Sequence, residues 1–434
     1  MVTGHIPTLC RRNFIKANLA GIASFTAMKS TPIFSDDKDT KTQVVVVKTQ
    51  DRRQGVTTVM DVLDYAPPKG KRVLIKPNFN TSDPTPGSTH NDTLEQLITE
   101  LRGSGGEDIT IGESSGPPAT KSVMEQKGIP QMADEINVNI INYEELNEDE
   151  WIHFNPEGIH WVKGFSIPRV AVESEYFVST CCLKTHGYGG VFTMSLKLPI
   201  GLTPKSIRGG MHALSSTHMR KMIAELNLGY KPDLIVLDGI EAFTDGGPSR
   251  GTLKQGNVFI GGTDRIAIDV VGLAVLKELG SNAAIMDKNI FEQEQIQRAV
   301  ELGLGISSPD QIELIAPDKA SSTYAEKLRE ILDISRPVGV NEESKQPSAF
   351  SILNSPNPFN PKTTIRYSLP RTSKVSLKIY NALGQEVATL VDAVMKKPGT
   401  YEAVFNGSNL PSGMYFYKLY GTGFSKSGKM MLLR

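Results

Sequence analysis

Val44-Val45-Val46-Val47, a helical pattern over 55–66, and Arg72-Val73-Leu74-Ile75-Lys76 stopping at Pro77 form the stretch that decides the fold. A continuous β-branched run suits a strand buried on both faces, as parallel strands are when helices cover both sides of a sheet. Between the two strands, Val59, Val62 and Leu63 fall on one side of a helix. The same alternation continues outward. Leu94, Leu97, Ile98 and Leu101 predict a helix that Gly103 ends. A strand follows at 108–112, a helix at 119–127 and a fourth strand at 138–141. Further strands are predicted at 176–183, 234–237 and 258–260, and further helices at 216–228, 265–279, 289–302 and 323–332. Regular β–α alternation predicts an α/β domain over 43–333, with a mostly parallel sheet and helices on both faces.

Beyond this domain the character changes on both sides. Residues 334–349 carry Pro, Ser and Glu and read as a linker. From 350 to 434 the pattern is all β: Val375, Leu377 and Ile379 alternate with Ser376, Lys378 and Tyr380, and Gly- and Pro-containing turns separate short strands. About seven strands in that space predict an immunoglobulin-like sandwich. At the other end, Cys10-Arg11-Arg12-Asn13-Phe14-Ile15-Lys16 stands before a modest apolar stretch at 17–27, too short and too rich in Gly, Ser and Thr for a membrane anchor. The pattern is similar to a twin-arginine export signal over 1–34. It implies passage through the twin-arginine translocase to the periplasm.

Composition narrows the function. Lys plus Arg and Asp plus Glu are 47 each, so the chain lacks the basic excess of a nucleic-acid binder, and none is expected as a partner. The three cysteines are Cys10, in the export signal, and the adjacent pair Cys181 and Cys182. Neighbouring cysteines would close a strained ring, and no Cys-x-x-Cys spacing exists. A disulfide framework, a structural zinc site and an iron–sulfur cluster are therefore not expected.

In sheets of this kind the ligand lies beyond the carboxyl ends of the strands. Five segments read as loops there: Lys76-Pro77-Asn78-Phe79-Asn80, Gly112-Glu113-Ser114-Ser115-Gly116, Lys184-Thr185-His186-Gly187 with Thr193-Met194-Ser195-Leu196-Lys197, Asp238 to Glu241 with Asp245 to Gly251, and Gly261-Gly262-Thr263-Asp264. Each has a plain alternative: a solvated strand end, a simple turn, a helix cap at Asp264, a solvated Asp269. Together, lysines, carboxylates, a histidine and glycines make up a polar ligand site. His186, which titrates near neutrality, is the expected general acid/base, with Lys184 and Lys76 as its catalytic companions. Asn78, Glu113, Lys197, Arg250 and Asp264 are the expected ligand contacts, and Asp238 and Asp245 the expected ligands of a divalent metal.

The order IKPN, GES, LKTHG…SLKLPIG, DGIEAF…DGGPSRG, GGTDRIAIDVVG resembles domain-of-unknown-function family 362 over 44–317. Many relatives carry an iron–sulfur segment for which this chain has no cysteines, and many read Lys-Asn where this chain has Lys197-Leu198. Asn-Pro-Phe-Asn-Pro at 357–361, Leu-Gly-Gln-Glu-Val at 383–387, Leu-Pro-Ser-Gly-Met-Tyr-Phe-Tyr at 410–417 and the terminal Arg434 look like a type IX secretion C-terminal sorting domain. That resemblance implies the type IX machinery as a partner and delivery to the cell surface or medium. The residues leave three functions open. One is an enzyme acting on a small anionic or carbonyl-bearing substrate, with a divalent metal. The second is a non-catalytic binder of an anionic small molecule. The third is a surface protein whose domain has lost activity.

Overall fold

The computed structural model describes residues 41–213, 217–334, 350–355, 359, 361–421 and 423–432. The twin-arginine segment, nearly all of the linker and Arg434 lie outside the described residues. The α/β part opens with β1 (Thr42–Lys48), α1 (Arg52–Val62), β2 (Arg72–Lys76), α2 (Asn91–Gly103), β3 (Glu107–Glu113), α3 (Thr120–Gln126), α4 (Ile129–Glu135) and β4 (Asn139–Asn142). It continues through a hairpin, β5 (Trp151–Phe154) and β6 (Phe165–Pro168), then β7 (Tyr176–His186) and β8 (Val191–Thr193), α5 (Lys205–Ala213) and α6 (Met219–Glu225). It closes with β9 (Leu234–Gly246), β10 (Gly251–Gly262), α7 (Arg265–Glu278), α8 (Glu294–Glu301), β11 (Ile312–Ile315) and α9 (Lys319–Ile334).

The valine run behaves as its composition demands. Val44 and Val46 enter the core on the α7 side, while Val45 and Val47 enter the core under α1 and α2. Each is worth about 1.5–3 kcal/mol relative to an exposed valine, and only a strand covered on both faces buries all four. Helix α1 starts at Arg52 rather than 55 because the Asp51 carboxylate accepts the amide N–H groups of Arg53 and Gln54.

The sheet order is β11-β1-β10-β9-β7-β2-β3-β4, with β8 hairpinned onto β7. Strands β11, β1, β9, β7, β2, β3 and β4 share one direction, and β10 runs against both its neighbours. The mostly parallel sheet is thus as expected, but two local readings change. Segments 184–186 and 238–246 are not loops: β7 runs on through His186 and β9 through Gly246. And since a tight turn joins β9 to β10 instead of a helical crossover, β10 must be antiparallel. Gly262 at its end pairs with Ile235 near the start of β9. Asp264 therefore lies at the sheet edge opposite Lys76 and Lys184. The helix expected at 289–302 is a short 3₁₀ turn followed by α8, and α4 and the β5–β6 hairpin had no counterpart in the sequence reading.

The C-terminal part has a three-stranded sheet, β12 (Ser351–Ser355), β13 (Lys362–Leu369) and β16 (Gly399–Asn406). Its four-stranded sheet holds β15 (Glu386–Lys396), β14 (Ser373–Asn381), β17 (Gly413–Gly421) and β18 (Phe424–Leu432). Val375, Leu377 and Ile379 join Ile365, Tyr367, Leu419 and Leu432 in one core, which fits an immunoglobulin-like sandwich.

Candidate functional site

Strands β2, β3 and β7 deliver their last residues to one edge, and these residues are charged and buried. Lys76 and Glu113 end β2 and β3 at 2% and 1% exposure. Their side chains pair at 2.6 Å, and the Glu113 carboxylate also accepts the amide N–H groups of Phe79 and Ser114, both at 2.8 Å. Gly201 makes room for this pair: a Cβ there would stand 2.6 Å from Glu113 Oε1 and 2.7 Å from Lys76 Nζ. On β7, Lys184 is wholly buried and donates its ammonium to the Gly87 carbonyl at 2.6 Å. Burial pulls its pKa down to about 8, against the opposing influence of the Cys182 and Cys181 thiols and Asp83.

His186 and Lys197 meet across Gly190. His186 Nδ1 accepts the Gly190 amide N–H at 3.2 Å. A Cβ on Gly190 would lie 2.8 Å from that nitrogen and 3.3 Å from Lys197 Cε, so only glycine lets the imidazole and the lysine chain crowd this point. Burial, then the positive charges of Lys184 and Arg208, pull the Lys197 amine down to about 7. Arg208, on α5, is a fourth cation that the sequence reading missed. Its guanidinium donates to the Ser114 hydroxyl at 2.7 Å and to the Thr203 and Ser115 carbonyls, and burial pulls it down to about 10. Its only advance signal was the basic segment Lys205-Ser206-Ile207-Arg208 just after SLKLPIG.

The turn that carries Lys197 is held by buried polar groups on α7 and beneath it. Asp269, fully buried, accepts the amide N–H groups of Ser195 at 2.7 Å and Leu196 at 3.0 Å, and burial pushes its carboxyl up to about 8. Asn227 donates to the Leu196 carbonyl at 2.8 Å and is itself fixed by Arg265. Asp269 is therefore a positioning residue rather than a solvated one.

The β9–β10 tip closes over β7. The Gly187 amide N–H donates to the Gly247 carbonyl at 3.2 Å. Gly247 has φ 75°, and a Cβ on it would stand 2.1 Å from the Thr185 oxygen. Asn80 reaches the Ser249 hydroxyl at 3.4 Å. Polar atoms without a hydrogen-bond partner cluster on the same segments: Asn78 Oδ1 and Ser115 Oγ after β2 and β3, and Thr193 Oγ1 and Ser195 Oγ around β8. Buried atoms of this kind ordinarily have a partner, so each is a place for a ligand or water.

Four expected residues lie elsewhere. Asp238 binds Arg52 Nε at 2.8 Å, Thr93 Oγ1 at 3.1 Å and the Ile240 amide N–H at 3.1 Å. Asp245 is exposed and accepts from Asn282 at 3.0 Å. The two aspartates are thus not brought together as a metal-ligand set, and among the described residues no group of three or more His, Cys, Asp and Glu is placed to hold a metal. Asp264 caps α7 by accepting from Ile266 and Ala267, and it also accepts from Ile306. Arg250 is exposed at the hairpin tip.

Residues 73–274 match the family described as Domain of unknown function (DUF362), and residues 355–432 match the Secretion system C-terminal sorting domain. A thylakoid-associated protein of Synechocystis sp. is 22% identical over 218 residues. The match spans 48% of this chain and 64% of that relative, under two thirds of its length. Among solved structures, the lactate racemase apoprotein of Thermoanaerobacterium thermosaccharolyticum is similar over 69% of this chain and 91% of its own, at 14% identity and a TM-score of 0.35. The Ig1 domain of mouse SynCAM 2 is similar over 19% of this chain and 91% of its own, at 14% identity and a TM-score of 0.14. At those scores neither likeness bears on the fold or the function.

Proposed function

We propose that this chain, which carries a DUF362 domain and a secretion-sorting tail, is an exported protein whose α/β part binds a small anionic ligand at the edge formed by β2, β3 and β7. The observation that carries the reading is the charge balance there. Lys76 and Arg208 both act on Glu113, Lys184 and Arg208 both act on Lys197, and Glu113 is already committed to Lys76. Buried cations are costly unless an anion meets them. A carboxylate or phosphate would supply the missing charge, with the Ser115 hydroxyl free to donate to it. An enzyme is favoured over a passive binder by the juxtaposition of His186 and Lys197, an imidazole beside an amine that burial and two cations bias toward its neutral form. The metal ligation expected at Asp238 and Asp245 has no support from their partners, Arg52 and Thr93 for the first and Asn282 for the second.

Binding is tested by thermal unfolding with pyruvate, oxalate or inorganic phosphate. A ligand at a hundredfold excess over its Kd should add about 2.7 kcal/mol of stability. Arg208→Gln should lose most of that gain. No stabilisation by any of the three anions, or an equal gain in Arg208→Gln, would remove the proposal.

The sorting tail marks the chain for type IX export to the cell surface or medium. We assign the earlier step, into the periplasm, to the twin-arginine translocase acting on Arg11 and Arg12. Protein with both changed to lysine should stay in the cytoplasm on cell fractionation, and normal periplasmic amounts would refute this route.

A further inference from the structure

We infer that Lys197 is a reacting amine that condenses with the carbonyl of a small 2-oxo acid, whose carboxylate lies against Arg208. This deepens the anion-site reading and rests on it.

Three lysines face the site, and they differ in what they hold. Lys76 is tied to Glu113 and to the Pro77 carbonyl, so its nitrogen is already engaged on two sides. Lys184 is wholly enclosed and donates to the Gly87 carbonyl. The Lys197 amine has no hydrogen-bond acceptor among the described residues, no carboxylate among the charges acting on it, and partial exposure that leaves it reachable. Its electrostatic neighbours are both cations, Lys184 and Arg208. A lysine in such surroundings is an activated nucleophile toward carbonyl carbon. Its aim is fixed as well: Asp269 and Asn227 pin the preceding backbone on both its N–H and C=O sides, and Pro199 stiffens the turn that follows. Holding a reacting group in one place in this way is where much of the rate of a two-body reaction comes from.

The chemistry balances without an added oxidant or reductant. The neutral Lys197 amine forms a C–N bond to the carbonyl carbon, the C=O pair moves to oxygen, and a nitrogen proton passes to that oxygen, giving a carbinolamine. His186, beside the lysine chain, protonates the hydroxyl. Water leaves as the nitrogen lone pair closes the C=N bond, and the iminium returns its proton to His186. The sum is amine plus ketone giving imine plus water. The carboxylate of the 2-oxo acid meets Arg208, with Lys184 enclosed behind it, which sets the substrate class: an acid with a carbonyl next to its carboxylate.

The test uses the full chain with pyruvate as probe, sodium borohydride to trap the imine, and peptide mass spectrometry to locate it. The expected result is a single saturable adduct on Lys197, absent in Lys197→Arg and absent from Lys327, whose side chain is 57% exposed. Its formation should rise with pH through about 7 rather than near the ordinary lysine value. Pyruvate that stabilises the protein yet leaves Lys197 unmodified, or marks Lys197 no more than Lys327, overturns the imine and leaves the anion site standing. Pyruvate, oxalate and phosphate that all fail to bind overturn both.

Discussion

The two halves of this molecule treat charge in opposite ways. In the C-terminal sandwich, the buried polar residues described are hydroxyls, Thr363, Ser373 and Ser376, and its core is otherwise apolar. In the α/β part, Lys76, Glu113, Lys184, Glu225, Asp238, Arg265 and Asp269 are all buried. Burying an ion costs several kcal/mol before any pairing repays it, and the sandwich shows that this chain can build a core without that cost. The buried ions are therefore informative. Some have a structural use, as Asp238 holds Arg52 to join β9 to α1, and Asp269 holds a turn. Lys197 has no such partner among the described residues, and the two cations acting on it, Lys184 and Arg208, make its surroundings the place where we propose a ligand binds.

The sharpest way to break this contrast is to remove a carboxylate from each half. Glu113→Ala would strand the Lys76 ammonium and two backbone amides in a dry interior, and should cost about 3–5 kcal/mol in denaturant unfolding. Glu386 in the sandwich also pairs with a lysine, Lys378 at 2.8 Å, but in water. Glu386→Ala should leave the unfolding midpoint unchanged. Equal effects at the two positions would erase the distinction between the halves.

A smaller effect sharpens the comparison inside the site. The Lys197 pKa is lowered in the folded state, so between about 7 and 10.5 the unfolded chain binds more protons and stability rises with pH. Below about pH 7 both states carry the charge, and the folded state bears its full penalty. Lys197→Met should thus be more stable than the parent at pH 6, with the gap closing as pH rises toward 10.5. A gap that is constant across this range in calorimetry would mean that Lys197 is as well solvated as an ordinary surface lysine.

Much of this was legible in the residues. The valine run and RVLIK announced strands buried on both faces, and Lys76, Glu113, Lys184 and Lys197 stood out because charges sat where strand ends should be. Two things were hidden. The polar residues 238–246 look like a loop because Asp238 is neutralised by Arg52, 186 positions away in sequence, and no local pattern reveals such a partner. The direction of β10 depends on whether the chain turns tightly at 247–250 or crosses over. That single choice moved Asp264 to the far edge and turned α7 back toward the site, so that Asp269 meets Ser195. Arg208 was hidden because it lies on a helix, away from the strand ends where charged residues draw notice.

The seat of the β9–β10 tip against β7 has a consequence for how this domain can change length. A hairpin turn at the surface is ordinarily where a chain accepts extra residues, a grafted peptide or new termini. This one cannot. Gly247 lies against the Thr185 oxygen with no room for a methyl group, and Ser249 is within reach of Asn80 across the site. An added residue would lift the tip off Thr185 and Gly187. The turn at 247–250 is therefore fixed in length by its contacts with β7 and Asn80, and loop grafting or circular permutation would have to use other turns of the domain.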